Sequence, residues 1–292
     1  MKVQDLRSFL KTTLNGEPGT LKRYSNNMSI ITLQTDFGMG AEYAGLMKGV
    51  ILSINPSAAI VDITHQIDSQ DIVQAAFMIC SSYEYFPDGT VHLIVVDPGV
   101  GSERSLLAFE MKKQFFIAPD NGVLTLLFNE RKPTALIRIT SAKYFLSSVS
   151  QTFHGRDIIA PVGAHLSVGL DVRKLGNEIC LQDAVHLDNL CAHFSENGEL
   201  VGKIVTVDNF GNLITNIDFN KLEKMHQAGQ ELIQIKIGSH IISGLSETYN
   251  SVQSKTSLAL IGSRGYLEIA VNKGNAAQVL NVEKGAEVRV MV

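Results

Sequence analysis

Three residues of this chain are candidate catalytic groups: Asp97, Arg104 and His154. Asp97 closes a mainly apolar run, residues 91–96, that reads as a buried strand. Pro98, Gly99 and Gly101 then break that strand. The carboxylate is therefore expected at the carboxyl end of a sheet, where open α/β sheets hold their ligands. Arg104 follows within a short loop and can fold back onto it. A carboxylate fixed between a strand end and a guanidinium is a candidate catalytic group. A tight turn with a surface ion pair is the plainer reading of VVDPGVGSERS taken alone. His154 lies in FHGRD, just before a helical stretch, and Gly155 leaves its backbone approachable. Arg156 and Asp157 either pair or cap that helix. A lone histidine is more often structural than catalytic, and the balance changes only if Asp97, Arg104 and His154 converge.

Other residues have the chemistry of recognition. Asp36 ends the first strand in TDFG and can accept from both hydroxyls of a ribose, or serve as an N-cap or Asx turn. In VDNFGNLITNI, Asp208 offers a carboxylate, Phe210 an aromatic face and Asn212 a paired donor and acceptor suited to the edge of adenine. The alternative there is an ordinary NFGN turn. In GSRGYLEIAVNKGNAA, Ser263 and Arg264 suit a carboxylate and Glu268 an ammonium. Each alone also fits a solvated loop leading into an edge strand. The glycine-rich dinucleotide fingerprint is missing. The histidines have no HxH or HxxxH spacing, so no metal is expected.

These groups must be carried by a scaffold. The 292 residues are 45% apolar, enough for two cores, and the net charge of -4 argues against a broad nucleic-acid surface. The apolar runs are strand-length, too short to span a membrane. Cys80, Cys180 and Cys191 have no metal spacing and read as buried thiols of a reducing compartment, the cytoplasm. Residues 1–27 are polar and read as an extension: a short helix, a disordered tail or an expression remnant. From residue 28, strands (29–35, 58–64, 91–96, 106–111, 115–118, 135–139) alternate with helices (41–54, 68–85, 121–129, 156–166). That order predicts a largely parallel α/β sheet domain over 28–190. HLDNLCAHFSENGEL reads as a polar connection. Short β runs then fill 191–292 (202–207, 213–217, 232–237, 257–261, 266–271, 287–292), with one helix at 220–226, as a smaller all-β, barrel-like domain.

Taken in order, TDFG, VDPGVGSER, APDNG, FHGRD, VDNFGNLITN and GSRGYLEIAVNKGNAA resemble the S-adenosyl-L-methionine (SAM) hydrolases, or hydroxide adenosyltransferases, relatives of the SAM-dependent fluorinases and chlorinases. The resemblance runs from Ser29 to Val292. It implies an enzyme that hydrolyses SAM, as substrate rather than cofactor, to adenosine and L-methionine by attack of activated water on ribose C5′. It implies Asp97, Arg104 and His154 as the water-activating set and Asp36 as the ribose ligand. Phe210, Asn212 and the backbone near Val271 would meet adenine, with Tyr249 as a stacking partner. Asp208, Ser263, Arg264 and Glu268 would meet the methionine part. It also implies a homotrimer with each site between two subunits. Fluorinases lack the Asp–Arg–His set, place an aromatic residue at the position of Asp97 and carry a longer loop after it. The short connection from Gly101 to Leu106 therefore favours water over halide. Halide transfer to SAM and non-catalytic binding of SAM or adenosine are the competing readings.

Overall fold

A computed structural model describes residues 29–228 and 233–292. The expected extension at 1–27 lies outside the described residues, as does Leu232 of the 232–237 run. The N-terminal part runs β1 (Ile30–Thr35), α1 (Tyr43–Ile54), β2 (Ala59–Thr64), α2 (Ile72–Ser82), β3 (Val91–Val95), β4 (Leu106–Met111), β5 (Gln114–Pro119), α3 (Thr125–Glu130), β6 (Ala135–Ile139), α4 (Ala160–Ser167) and β7 (Gly176–Glu178). Its sheet has the order β2-β1-β3-β5-β4-β6-β7. The strands β2, β1, β3 and β5 pair in parallel, and β4, β6 and β7 extend the sheet antiparallel.

The antiparallel half follows from the connections. A parallel neighbour needs a crossover of a dozen residues or more, and no helix separates β3 from β4 or β4 from β5. Instead β4 and β5 close as a hairpin on Lys112 and Lys113, with φ of 49° and 59°. The connection from Val96 to Ser105 passes over the end of β5 to reach β4, which lies beyond it.

Both faces of the sheet are covered. Met47 and Ile51 of α1 and Val162 of α4 pack with Ile31, Leu33, Leu93 and Val95 on one side. Ile79 of α2 and Leu127 of α3 pack with Ile94, Phe109 and Phe116 on the other. This two-sided burial is why β1 and β3 read as continuous apolar runs. Asp71 caps α2 by accepting from Gln74 N at 2.9 Å. The 3-10 turn Tyr83–Tyr85 ends the expected 68–85 helix early.

The C-terminal part comprises β8 (His193–Phe194), β9 (Leu200–Val207), β10 (Leu213–Asp218), α5 (Phe219–Ala228), β11 (Gln234–Ile237), β12 (His240–Ser243), β13 (Ser257–Ile261), β14 (Tyr266–Val271), α6 (Ala276–Leu280) and β15 (Glu287–Met291). Its antiparallel sheet has the order β12-β11-β15-β9-β10-β14-β13, with β8 on β9, and nearly closes where Ser246 N donates to Ala259 O at 2.7 Å. The polar connection is thus partly strand, because β8 pairs with the start of β9. Phe77 of α2 meets Tyr266 of β14 at 5.2 Å between ring centroids, in a small core with Ala76, Leu190 and Val205 that joins the two sheets. Cys180 and Cys191 are exposed and only Cys80 is partly buried, so two of the three thiols are not core residues as expected. They sit on polar connecting segments that present side chains to solvent. Among the described residues no helix is long and apolar enough to cross a membrane.

Candidate active site

Thr35 pairs with Val95, so Asp36 and Asp97 emerge from the carboxyl ends of adjacent parallel strands. The chain leaves β1 toward β2 on one side and returns to β3 on the other. This is the reversal of strand order at which open sheets form a crevice.

The loop after β3 is two successive turns. Asp97 O accepts from Val100 N at 3.2 Å, and Gly99 O accepts from Ser102 N at 3.1 Å. Asn121 Nδ2 holds the strand end by donating to Val96 O at 2.8 Å. Gly101 has φ +79°, and a Cβ there would lie 2.3 Å from Gln151 O. Only glycine fits both conditions. The close approach presses the Asp97 loop against the segment that leads to His154. That segment is anchored by buried Asp157, which accepts from Ser150 N at 2.8 Å and pairs with Arg156 Nε at 2.6 Å. Arg156 and Asp157 therefore pair, while Asp36 accepts no capping bond from α1, whose N-cap is Glu42.

The structure brings Asp97, Arg104 and His154 together. Arg104 Nε donates to Asp97 Oδ1 at 2.9 Å and Oδ2 at 2.8 Å, and Nη2 also reaches Oδ2. The same Nη2 donates to His154 Nδ1 at 2.8 Å across 50 residues of sequence. The Asp97 and Arg104 side chains are only 6% and 11% exposed, so this is no surface ion pair. An arginine cannot accept, so a neutral His154 ring carries its proton on Nε2. Burial, then the Arg104 charge, hold His154 below the usual histidine range; Asp97, Asp157 and the Ser150 backbone act against that shift.

Asp36 accepts from Gln70 N at 2.8 Å. Phe37, Tyr43 and Phe153 form a cluster, with ring centroids 5.2 to 5.6 Å apart, linking the Asp36 turn to the residue before His154. Neither Gln70 nor this apolar wall was expected. Gln70 acts through its backbone, which leaves no side-chain signature. The wall was foreshadowed by the phenylalanines of TDFG and FHGRD.

A second group assembles on the C-terminal sheet. Asp208 Oδ1 accepts from Phe210 N and Asn212 N, both at 2.9 Å, and Oδ2 accepts from Asn212 Nδ2 at 3.0 Å. The turn is therefore Asp208-built, as its ordinary reading allows, yet Phe210 is left 78% exposed at its tip. Tyr249 Oη donates to Glu268 Oε1 at 2.6 Å. Glu268 is only 6% exposed. Burial first, then the Asp208 charge, raise its pKa, while the Tyr249 bond and the Arg264 charge lower it. Ser263 and Arg264 are exposed on the turn before β14. Val271 is buried at the end of β14, its carbonyl accepting from Gly274 N at 2.9 Å. Among the described residues, no hydrogen bond or ion pair joins this group to Asp97, Arg104 or His154.

The profile of the SAM hydroxide adenosyltransferase N-terminal domain matches residues 31–176, and that of the C-terminal domain matches 202–289. This chain belongs to the SAM hydroxide adenosyltransferase family. Proteins named (R)-S-adenosyl-L-methionine hydrolase from Thermus thermophilus and Methanocaldococcus jannaschii are 32% and 35% identical to it. These matches span 88% and 90% of this chain and 97% and 96% of theirs. A fluorinase from Nocardia brasiliensis is 27% identical, over 90% of this chain and 97% of its own. A solved structure described as an uncharacterized conserved protein from Thermotoga maritima superposes with TM-score 0.83 at 36% identity, over 90% of this chain and all of that one. The two SAM hydroxide adenosyltransferase profiles fall on the two sheets, one on each.

Proposed function

We propose that this protein hydrolyses S-adenosyl-L-methionine, releasing adenosine and L-methionine through attack of water on ribose C5′. The observation that carries the reading is the contact of Asp97, Arg104 and His154 at the strand-order reversal. Arg104 orients the Asp97 carboxylate. Each Asp97 oxygen has two lone pairs, and Arg104 engages Oδ1 only once, leaving that oxygen a position for water. His154 accepts from Arg104 and so steadies the guanidinium; Asp97 takes the proton of the attacking water. Base assistance of this kind contributes about 10²–10⁴-fold.

The leaving group is a neutral thioether formed from a sulfonium cation, so positive charge fades as the C–S bond breaks. The Phe37, Tyr43 and Phe153 wall offers an apolar setting that favours this loss of charge. In-line positioning can lower such a barrier by roughly 7–11 kcal/mol. The clamps therefore matter as much as the base. In this reading Asp36 holds the ribose hydroxyls. Phe210, Asn212, Tyr249 and the Val271 backbone receive adenine. Asp208, Ser263, Arg264 and Glu268 receive the methionine end.

The same reading divides the chain into an α/β part, 28–190, and a β part, 191–292. It makes the protein a cytoplasmic homotrimer whose sites lie between subunits. The solvent-facing Phe210 supports an adenine pocket completed by a second copy.

Mass spectrometry of the products formed from SAM in H₂¹⁸O tests the reaction. Label in the adenosine 5′-hydroxyl is expected. A 5′-halo-5′-deoxyadenosine formed in chloride or fluoride would instead assign halide transfer, and binding without product would leave a non-catalytic SAM protein.

A further inference from the structure

The Asp36 carboxylate is oriented by a backbone N–H, and the turn carrying that N–H is held from the other sheet. Gln70 is a non-glycine residue at φ +64°, a conformation that costs energy unless its surroundings impose it. In that conformation its N–H donates to Asp36 Oδ2 at 2.8 Å. Two straps from the C-terminal sheet fix the turn. Buried Gln74 accepts from Asp68 N through Oε1 at 2.7 Å and donates from Nε2 to Thr206 Oγ1 of β9 at 2.9 Å. Lys284 Nζ donates to Asp68 Oδ2 at 2.9 Å and also reaches Asp71 Oδ2. Lys284 is itself seated on β9, since the next residue, Gly285, donates from N to Ile204 O at 2.8 Å.

We propose that Lys284 and Gln74 are positioning residues for Asp36: they lock the Asp68–Asp71 turn onto β9 so that Gln70 N–H fixes the carboxylate for the ribose. This rests on the reading of Asp36 as the ribose ligand. The ammonium between two carboxylates also offsets their mutual repulsion beside a third, Asp36. Without it the strained Gln70 backbone is free to relax and the N–H to swing away.

The test is a double-mutant cycle on the full chain, with kcat, KM for SAM, the inhibition constant of adenosine and the melting temperature read for each variant. Lys284→Met is expected to raise KM and the adenosine constant about threefold to tenfold. Its kcat should stay within about twofold, and Lys284→Arg should restore the wild-type values. In an Asp36→Asn background the further change Lys284→Met should add nothing to KM. Gln74→Met should repeat the pattern through the second strap. A fall in melting temperature with unchanged KM, or the same KM increase in the Asp36→Asn background, would overturn the proposal by making Lys284 merely structural. An unchanged KM in Asp36→Asn alone would remove the ribose reading, and this proposal with it.

Discussion

The loop at the end of β3 and the turn at the end of β9 are both built on an aspartate and a positive-φ glycine, yet they end in opposite states. In the first, Asp97 is engaged by Arg104, which is engaged by His154, and the Asp97 and Arg104 side chains are nearly closed to solvent. In the second, Asp208 accepts from its own turn and Phe210 stands in solvent. A group that positions a reacting water needs fixed geometry before substrate arrives, because about 1 Å of misplacement costs rate. A stacking face needs only to be presented. On the proposed function, the difference separates a part that does chemistry from a part that recognises.

Removing the first part should change turnover and spare recognition. Asp97→Ala should lower kcat by about 10²–10⁴-fold with KM nearly unchanged. Steady-state kinetics showing the reverse would erase the division. Removing the second part should do the opposite. Phe210→Ala should raise KM by about tenfold at near-constant kcat, within the 1–3 kcal/mol of base stacking on an aromatic ring.

The two glycines sharpen the contrast further. Gly101→Ala and Gly211→Ala each place a Cβ in a left-handed backbone, at 2.3 Å from Gln151 O and 2.1 Å from the Asn275 side chain. Each should lose about 1–2 kcal/mol from backbone conformation alone. Denaturant melts would show similar losses, while kinetics should split them, kcat for Gly101→Ala and KM for Gly211→Ala.

The smallest effect concerns pH. His154 is held neutral below its usual 6.5, so activity should persist as pH falls through 6.5 and decline only below it. The sign for stability is the same. Between the depressed folded value and 6.5 the unfolded chain binds more protons, so stability is present above 6.5 and lost as pH falls through that window. A kcat/KM profile whose acid limb sits at or above 6.5 would contradict the hydrogen bond from Arg104 to Nδ1.

Much of the first part could be read along the chain. A buried run ending in Asp97, Pro98 and Gly99 marks a strand end, and the FHGRD residues lead into a helix as expected. The meeting of Arg104 with His154 is a tertiary event across 50 residues, and family resemblance rather than local pattern pointed to it. The antiparallel half of the first sheet was obscured because its hairpin turns on Lys112 and Lys113, where Asn-Gly would have announced it. By contrast, the β11–β12 hairpin carries a Gly238–Ser239 signal that local pattern does provide, although β12 was not expected. The missed α6 also has a local signal, Asn275 capping it by accepting from Gln278 N at 2.9 Å. Gln70 and Gln151 contribute only backbone atoms to the site, so their residue types foretell nothing.

The path of residues 96–105 over the end of β5 ties this chemistry to architecture. With neighbouring strands about 4.8 Å apart, the segment crosses roughly 10 Å of sheet edge as well as carrying Asp97 and Arg104. It works as a lintel. Ten residues could reach roughly 33 Å when extended, so the crossing itself has slack. Most of the length is taken up by the two turns that bring Arg104 back to Asp97. A change of length in either direction would therefore be felt at that pair before it is felt in the register of β4.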